Sequence, residues 1–327
     1  MIRPTIQTVP VSLDTYRRYW HSFREHLNWN CMFMLPPWVE AWWKCFAGAA
    51  TLHILAVKAD STLIGLAPLK VDGRTAGFIG SADVCDYFDL VLAPGRHPHF
   101  WDALINHLQK EGITCLDLTA LRPDAAIRQL IGTPLPDREE MMCDMADVSM
   151  ELTLPESWDA FLEMLSKKER HEIRRKLRRL HEGGDVDIQV VENLSELSEM
   201  MDRFLKLFAA SREDKQHYMT DTRALFFHRL ARKMAEIGSL RLFFLHLSGK
   251  PVGTVLCFDY RNRRYLYNNG WDARYSGLGI GQLTKVFSIR DAIDRRLHYY
   301  DFLKGGEPYK SRLGGRPVPL HRYQLGL

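Results

Sequence analysis

The sequence predicts an α/β protein built from two copies of one unit, and three observations support this fold class. The segments His53–Val71 and Leu242–Tyr260 each follow the pattern of a strand, a tight polar turn and a second strand opened by a branched apolar residue and glycine. A strand–helix–strand run follows each hairpin, and a helical connector separates the two copies. A chance likeness of two hairpins is the alternative, and the repeat of the whole unit argues against it. We therefore predict a first domain over 1–150 and a second over 151–327.

Bulk properties are those of a globular protein with room for two domains. The chain has 327 residues, of which 46% are hydrophobic and 26% charged, with a net charge of +4. Its six cysteines show no CxxC spacing, which argues against a zinc site or a disulfide framework. The N-terminal residues lack the apolar core of a signal peptide, and no apolar run is long enough to span a membrane. We expect a cytoplasmic protein in a reducing compartment.

The individual elements are predicted from periodicity and from helix start and stop signals. After each hairpin we expect a strand, a helix and a strand: near Asp89–Leu92, Asp102–Lys110 and Thr114–Leu118 in the first copy, and near Tyr265–Asn268, Gln282–Arg295 and Tyr299–Leu303 in the second. Between the copies we expect further helices at Ser157–Leu165, Glu196–Ser211 and Thr222–Ile237.

A strongly basic helix is predicted over 166–182. It opens with a capping box at 166–169 and carries Ile173, Leu177 and Leu180 at i, i+4 and i+7. Between positions 167 and 181 there are eight Lys or Arg and two Glu, a local charge of +6, so the remainder of the chain carries −2. Three uses stay open: the solvated face of a packed helix, contact with phosphates or an anionic acceptor, and binding of nucleic acid or a membrane surface.

The glycine-rich stretch RYSGLGIGQL, which begins at Arg274, suggests a phosphate site. A dinucleotide fingerprint fails because Gln282 stands where the third glycine would be, and no GK[ST] of a P-loop is present. What remains is R-x-x-G-x-G, formed with Gly277 and Gly279, between a predicted strand and a predicted helix. Glycines let backbone N–H groups converge, and the helix N-terminus adds its positive dipole end. A structural turn that caps the helix is the alternative.

Strand, R-x-x-G-x-G and helix in this order resemble the pyrophosphate-binding motif of the GNAT N-acyltransferases. The flanking segments ASREDK, SGKPVG, NNGWDARYSGLGIG and DFLKGGEPYKSRLGG are similar to the CelD-like acetyltransferases linked to polysaccharide biosynthesis, relatives of the Fem-type peptidyltransferases. The resemblance covers residues 158–315, and over 1–150 it rests on GSADVCDYFDL. The family often has Ser-Pro-Gly where this chain has LGIG at 278–281, which favours acyl-CoA over aminoacyl-tRNA as the donor.

The resemblance implies a tandem GNAT-like protein with a mixed sheet, in which the second copy is a competent acyltransferase and the first lacks the glycine loop. It would move an acetyl or longer acyl group from acyl-CoA to an amine, with an amino sugar or polysaccharide precursor as the candidate acceptor. The residues implied in acyl-CoA binding are Tyr267, Asn268, Asn269, Arg274, Tyr275, Ser276, Gly277, Leu278, Gly279 and Gly281.

The resemblance also implies a catalytic set near the C-terminus. Asp301 or Glu307 would act as the base, Tyr309 as the acid, and Lys310 would steady negative charge at the reacting centre. The candidate acceptor-binding residues are Asp86, Tyr87, Arg212, Lys215 and Lys304. Each of these residues also has an ordinary structural reading as a hydrogen-bonded, packed or solvated side chain.

Two rival functions stay open at this point. One is a Fem-type transferase that uses aminoacyl-tRNA, and the other is a non-catalytic protein that uses the basic helix for binding. No metal is expected, because the spacing of Asp83, Asp86 and Asp89 lacks the glycine and closing glutamate of a calcium loop. The acyl chain length, the acceptor and the oligomeric state are not determined by the sequence.

Overall fold

A computed structural model describes residues 4–95, 97–131 and 141–327. The first elements are β1 (Ile6–Val11), α1 (Leu13–Ser22), a 3₁₀ turn (Met32–Met34), α2 (Pro36–Phe46), β2 (Thr51–Ala59), β3 (Thr62–Asp72), β4 (Thr75–Phe78), β5 (Val91–Leu92), α3 (His97–Lys110), β6 (Cys115–Leu121), α4 (Ala126–Ile131) and β7 (Met141–Thr153). The later elements are α5 (Trp158–Met164), α6 (Lys167–Glu182), β8 (Val186–Val191), α7 (Leu197–Ala210), α8 (Glu213–Tyr218), α9 (Asp221–Glu236), β9 (Leu240–Leu247), β10 (Lys250–Tyr260), β11 (Arg263–Trp271), a 3₁₀ turn (Ala273–Leu278), α10 (Ile280–Asp294), β12 (Tyr299–Lys304), α11 (Pro308–Arg312) and β13 (Arg316–Gly326).

The chain divides into two compact units. The first contains residues 1–148 and 318–327, and the second contains residues 149–317. The predicted boundary at 150/151 falls inside the strand β7, and residues 318–327, which the sequence assigned to the second domain, group with the first unit. The division into two independent domains stays a prediction.

The first unit is a mixed sheet in the order β1-β2-β3-β4-β6-β13, with β5 paired to β3. Its predicted hairpin is confirmed as β2–β3, which pairs from Thr51↔Val71 to Ala59↔Thr62. The pair β4–β6 is parallel, and the other pairs are antiparallel. The helix of this copy begins earlier than predicted, at His97.

The second unit is a mixed sheet in the order β7-β12-β11-β10-β9-β8. The second predicted hairpin is confirmed as β9–β10. The pair β11–β12 is parallel over three registers, Arg263↔Tyr299 to Tyr265↔Asp301. Beyond these registers, β11 continues to Trp271 with only β10 as its recorded strand partner in the described part of the chain. The two parallel strands therefore part halfway along β11.

Helices α7 and α10 cover opposite faces of the second sheet. A side chain built at Gly270 would point at α7, with its Cβ 2.4 Å from the backbone nitrogen of Phe208. A side chain at Gly253 would point at α10, with its Cβ 2.5 Å from Oγ1 of Thr284. Gly253 pairs with Trp271, the neighbour of Gly270, and successive residues of a strand face opposite sides. Trp271 therefore lies on the α10 face.

The predicted basic helix is confirmed as α6. The Ser166 hydroxyl accepts from the Glu169 amide, as a capping residue does, and the helix ends at Gly183. Ile173 and Leu180 are buried, and Leu180 packs in one cluster with residues of β9, β10 and α10. The apolar stripe thus fixes α6 against the hairpin and the glycine-rich turn. Among the described residues, no helix has the length and apolarity needed to cross a bilayer.

Candidate active site

The glycine-rich turn joins β11 to α10 through the 3₁₀ turn at 273–278. Gly279 has φ of +74°, in the left-handed region, and it both ends the 3₁₀ turn and begins the helix. A Cβ at Gly281 would lie 2.8 Å from the Trp271 ring, and a Cβ at Gly277 would meet nothing within 4 Å. The turn therefore needs glycine at 279 for its backbone angle and at 281 for close packing, while 277 is open.

Free amides mark the start of α10, a helix of 15 residues. The amides of Gln282 and Leu283 donate to the Gly279 carbonyl. The amides of Ile280 and Gly281 have no acceptor recorded within the described residues. Two N–H groups at the positive end of a long helix, beside a glycine turn, form an anion-binding arrangement.

The residues of the turn differ in their exposure and contacts. Arg274 is 85% exposed and its guanidinium is held by Asp272, whose pKa it lowers by hydrogen bonding. Tyr275 and Leu278 pack against the core cluster of α6 and the hairpin. Ser276 accepts the Gly279 amide through its carbonyl.

A basic groove of about 940 Å³ lies beside this turn, between α6, the first turn of α10 and α11. Six Lys or Arg and three Glu line it, with Gln282 and Arg312 at the α10 and α11 sides. Lys176 donates to the Gln282 side chain over 2.5 Å, and its Cδ lies 2.9 Å from a Cβ built at Gly279. The charged face of α6 is thereby joined directly to the glycine turn.

The half of β11 that lies beyond its pairing with β12 carries three of the predicted donor-binding residues. Tyr267 is the extra residue of a β-bulge opposite Leu256 and Cys257, and its ring packs at 5.5 Å from Phe227. Asn268 and Asn269 are half-buried, and the Asn269 carbonyl accepts from the Lys215 ammonium. Bulges near the end of a pairing commonly redirect a strand beside a functional site.

A group of lysines and aromatic rings surrounds the end of β11; we call Lys215, Lys285, Trp271 and Tyr309 the lysine cluster. Lys285, on α10, is only 5% exposed and its ammonium donates to the Gly281 carbonyl over 2.6 Å. The Lys285 ammonium lies 4.6 Å from the Tyr309 ring centre and 5.8 Å from that of Trp271. The Lys215 ammonium lies 5.3 Å from the same Trp271 ring.

Burial changes how this cluster titrates. Loss of solvent, and then the positive charge of Lys215, lower the pKa of Lys285 to about 7. Loss of solvent likewise lowers the pKa of Lys215 to about 8. Burial, and then the nearby Glu307 carboxylate, raise the pKa of Tyr309, so its hydroxyl keeps its proton at neutral pH.

The loop after β12 is organised around Lys310, which is 2% exposed. Its ammonium donates to the carbonyls of Leu303, Lys304 and Gly305 at 2.6–3.0 Å and pairs with Glu307 at 2.9 Å. Burial raises the pKa of Glu307, but the Lys310 hydrogen bond and charge outweigh it and the net pKa is lowered. The Glu307 side chain is 56% exposed and ionised at neutral pH.

Asp301 lies apart from the lysine cluster in its recorded contacts. It is fully buried, and its carboxylate accepts from the Ser149 hydroxyl and the Leu303 amide. The Arg263 guanidinium lies 3.5 Å from its other oxygen. These contacts are those of a side chain that fixes β12 and β7, which favours the structural reading over the predicted catalytic one.

The predicted acceptor residues fall in several places. Lys215 lies in the lysine cluster, whereas Arg212 is exposed and held by two 2.9 Å hydrogen bonds to Asp214. Lys304 is half-buried at the end of β12. In the first unit, Tyr87 is buried, its ring 5.0 Å from Phe33, and the neighbouring aspartate at 86 is half-buried.

Two residues of the site were missed in the sequence, Lys285 and Trp271. A signal existed for Lys285, because it lies four residues before the apolar Ile289, on the face of α10 that is predicted to be buried. A lysine on the buried face of a helix is costly, so its presence there calls for a structural or functional explanation. Trp271 carried no signal beyond its position before the glycine turn.

The parting strands and the glycine turn both lie in a segment of the chain that resembles a known family. Residues 167–311 match the family profile described as an acetyltransferase (GNAT) domain. No curated protein sequence matches the chain significantly.

Solved structures extend the likeness to nearly the whole chain. The crystal structure of FemX aligns with a TM-score of 0.66 at 11% identity, over 98% of this chain and 97% of that one. An acetyltransferase from the GNAT family from Colwellia psychrerythraea aligns at 0.51 and 12%, over 98% and 99%. A tandem GNAT protein from the clavulanic acid biosynthesis pathway aligns at 0.50 and 12%, over 98% of each chain. These identities establish the fold alone, and the predicted GNAT-like α/β class is confirmed; the narrower likeness to CelD-like enzymes stays a prediction.

Proposed function

We propose that this chain is an N-acyltransferase that moves an acetyl or longer acyl group from acyl-CoA to an amine. The observation that carries the proposal is the separation of β11 from β12 after Tyr265 and Asp301, ahead of a glycine turn whose two helix amides have no acceptor among the described residues. An extended thioester fits between parting strands, and a pyrophosphate fits at the helix N-terminus. The predicted CelD-like resemblance suggests an amino sugar or polysaccharide precursor as acceptor.

The residues of the glycine turn fit the phosphates of acyl-CoA. The amides of Ile280 and Gly281 would face the pyrophosphate, and Lys176 with the basic groove would meet further phosphate charge. When bound, acyl-CoA supplies an activated thioester. The glycines at 279 and 281 keep side chains away from that surface.

The backbone amides of Tyr267–Asn269 are the groups we assign to orienting the acyl carbonyl. They belong to the half of β11 that has no β12 partner among the described residues. A fixed N–H donor at a developing oxyanion contributes about 3 kcal/mol in other enzymes. Holding both reactants in place contributes up to about 7–11 kcal/mol in favourable cases.

Proton transfer is assigned to the loop after β12. Glu307 is ionised and more than half exposed, so it can accept a proton from an ammonium acceptor, directly or through water. Tyr309 holds its proton and can return one to the leaving thiolate. Lys310, with three carbonyls and Glu307 as partners, positions this loop, and Asp301 positions β12.

A second candidate is transfer from aminoacyl-tRNA. The observation that favours it is the basic groove, whose six Lys or Arg would suit the phosphates of a nucleic acid end. Thermal-shift titration with acetyl-CoA, longer acyl-CoAs and aminoacyl-tRNA separates the candidates, because a ligand that binds the folded state raises the melting temperature. No shift with any CoA would contradict the leading proposal.

A matched pair of variants tests the donor site further. We expect Lys176→Met to weaken acetyl-CoA binding about tenfold, or about 1.4 kcal/mol, and to lower its salt dependence. Arg274→Met should change the affinity less than about threefold, because Arg274 is exposed and already paired with Asp272. Calorimetric titration of both variants measures this difference, and equal losses would show that the motif arginine, too, holds the donor.

A further inference from the structure

Two ammonium groups at the end of β11 have no anionic partner among the residues that the structure describes. Neither Lys215 nor Lys285 has a carboxylate oxygen within 4 Å in the described part of the chain. Each makes one recorded hydrogen bond, to the carbonyls of Asn269 and Gly281 respectively. An ammonium has three N–H donors, so donor capacity is left over at both residues.

The neighbouring charges do not neutralise this pair. Glu307 is held by Lys310 at 2.9 Å, and Asp214 is held by Arg212. When both ammonium groups are protonated, the cluster carries two positive charges that Glu307 and Asp214 offset only in part. Buried charge of one sign is costly unless a counter-ion binds. The depressed pKa values of both lysines are the expected sign of that cost.

Aromatic rings form the walls of the same cluster. The Lys215 ammonium lies 4.7 Å from the Phe208 ring centre as well as beside Trp271. Lys285 lies between Trp271 and Tyr309. Rings limit access of water and strengthen electrostatic attraction to an incoming anion.

The cluster also lies next to the proposed site of acyl transfer. Lys215 donates to the carbonyl of Asn269, one of the residues whose amides we assign to the acyl group. Lys285 contacts the ring of Tyr309, the assigned acid. A group bound by both lysines is therefore close to the amine that is acylated.

We propose that Lys215 and Lys285 form a pocket for a carboxylate or phosphate group of the amine acceptor. This inference rests on the proposed function and names its substrate class: an amine that carries a negative charge close by, such as an amino acid or a phosphorylated amino sugar. A neutral amino sugar leaves both ammonium groups unneutralised.

Direct binding is measured first, without any reaction. Succinate and inorganic phosphate are titrated calorimetrically into the wild type, Lys285→Met, Lys215→Met and the control Lys206→Met, which changes an exposed lysine on α7. We expect at least tenfold weaker binding of one or both anions in each cluster variant and no change in the control. Lys176→Met in the basic groove reports any anion bound there instead.

Turnover is measured second, as thiol release from acetyl-CoA. The acceptors are glycine against glycinamide and glucosamine 6-phosphate against glucosamine, so each anionic amine has a neutral partner and the two arms separate carboxylate from phosphate. We expect the anionic member of at least one pair to be preferred at least tenfold. Lys285→Met should raise KM for that acceptor tenfold or more and leave acetyl-CoA affinity within twofold.

The outcomes separate this inference from the proposed function. Anion binding within twofold of wild type in both cluster variants would overturn the pocket, as would equal use of neutral and anionic amines. A tenfold loss of acetyl-CoA affinity in both variants would assign the pocket to the donor and also overturn it. Failure of acetyl-CoA to bind or turn over would overturn the proposed function, while the calorimetric result still decides the anion pocket. Should Lys285→Met not fold, Lys215→Met carries the same comparison.

Discussion

The two units contain the same pair of parallel strands but use the space beyond it differently. In the first unit β4 and β6 pair over Thr75↔Cys115 to Gly77↔Asp117, and in the second β11 and β12 pair over the equally short stretch from Arg263↔Tyr299. Beyond the pairing of the first unit, Phe88 forms a parallel bridge to Leu121. Beyond the pairing of the second unit lie the lysine cluster and the glycine turn.

In the first unit the chain itself fills the corresponding space. The Phe88 ring stacks on Phe78 at 5.4 Å, and a Cβ at Gly80 would lie 2.3 Å from it. Asp89 then accepts the amides of Ala126 and Ile127 at the start of α4. In the first unit, apolar rings fill the space beyond the parallel strand pair. In the second unit, the space beyond its parallel pair contains the polar groups and charges of the lysine cluster and the glycine turn. The same topology is therefore closely packed at this place in one copy and holds the candidate site in the other.

The largest change in free energy should come from truncating Phe88, whose ring fills the space beyond the parallel strand pair of the first unit. Phe88 is 3% exposed, and Phe88→Ala leaves a cavity between Phe78 and β6. We expect the free energy of unfolding to fall by about 3–5 kcal/mol. Urea denaturation followed by circular dichroism measures the loss.

Acyl-CoA affinity of the same variant tests the contrast between the copies. We expect it within twofold of wild type at a temperature where the variant is folded, because every recorded contact of Phe88 lies in the first unit. A tenfold loss of affinity would show that the packed copy supports donor binding and would remove the contrast.

The next effect concerns the glycine turn of the second unit. Gly279→Asp puts a side chain and a negative charge at a left-handed residue, with its Cβ 2.9 Å from Lys176. We expect acetyl-CoA affinity to fall at least 100-fold, or about 2.7 kcal/mol. Calorimetric titration measures the change.

Gly277→Ala is the matched control, since a Cβ there meets nothing within 4 Å and its φ is not left-handed. It should bind acetyl-CoA within about threefold of wild type, a change of at most about 0.7 kcal/mol. Gly279→Ala separates backbone strain from charge. If Gly279→Asp binds as wild type does, the turn is only a helix cap.

Local features of the fold could be predicted from the sequence. Both hairpins followed from two apolar runs around a tight polar turn with a branched apolar residue and glycine, and α6 followed from its capping box and i, i+4, i+7 stripe. The glycine turn was found by its spacing, and the backbone angle of Gly279 agrees with the reason given for it. These signals act over a few residues, so a single sequence contains them.

The rest depends on partners that are distant along the chain. The sequence left Asp301 as one of two candidate bases or a structural side chain, and its contact with Ser149, 152 residues away, is known only from the fold. Lys310 was predicted to steady charge, and its three donors instead meet the carbonyls of its own loop. The helical pattern could have drawn attention to Lys285, but its aromatic neighbours Trp271 and Tyr309 are known only from the fold. The packing of the folded chain, and not the local sequence pattern, decides which polar side chain keeps unused hydrogen-bond donors.

A final contrast between the copies is the titration of one buried group in each. Burial raises the pKa of Asp89 to about 7, and it lowers the pKa of Lys285 to about 7. Unfolded, these groups titrate near 3.8 and 10.5. Between about pH 4 and 7 the folded state binds more protons at Asp89, so the stability that this residue contributes is lost as pH rises. Between about pH 7 and 10 the unfolded state binds more protons at Lys285, so stability rises with pH.

Each single variant should therefore remove one pH-dependent part of the free energy of unfolding, on the acid side for one residue and on the alkaline side for the other. We expect Lys285→Met to remove a rise approaching about 1.4 kcal/mol per pH unit between pH 7 and 9, and Asp89→Asn to remove a fall of similar slope between pH 5 and 7. Urea denaturation at each pH gives the free energies, and subtraction from wild type cancels the other titrating groups. An acyl-CoA-free Lys285→Met protein with the wild-type slope above pH 7 would mean that Lys285 stays charged in the folded state. The charge of Lys285 would then already be balanced within the second unit. The contrast between the two units would rest on the glycine turn alone.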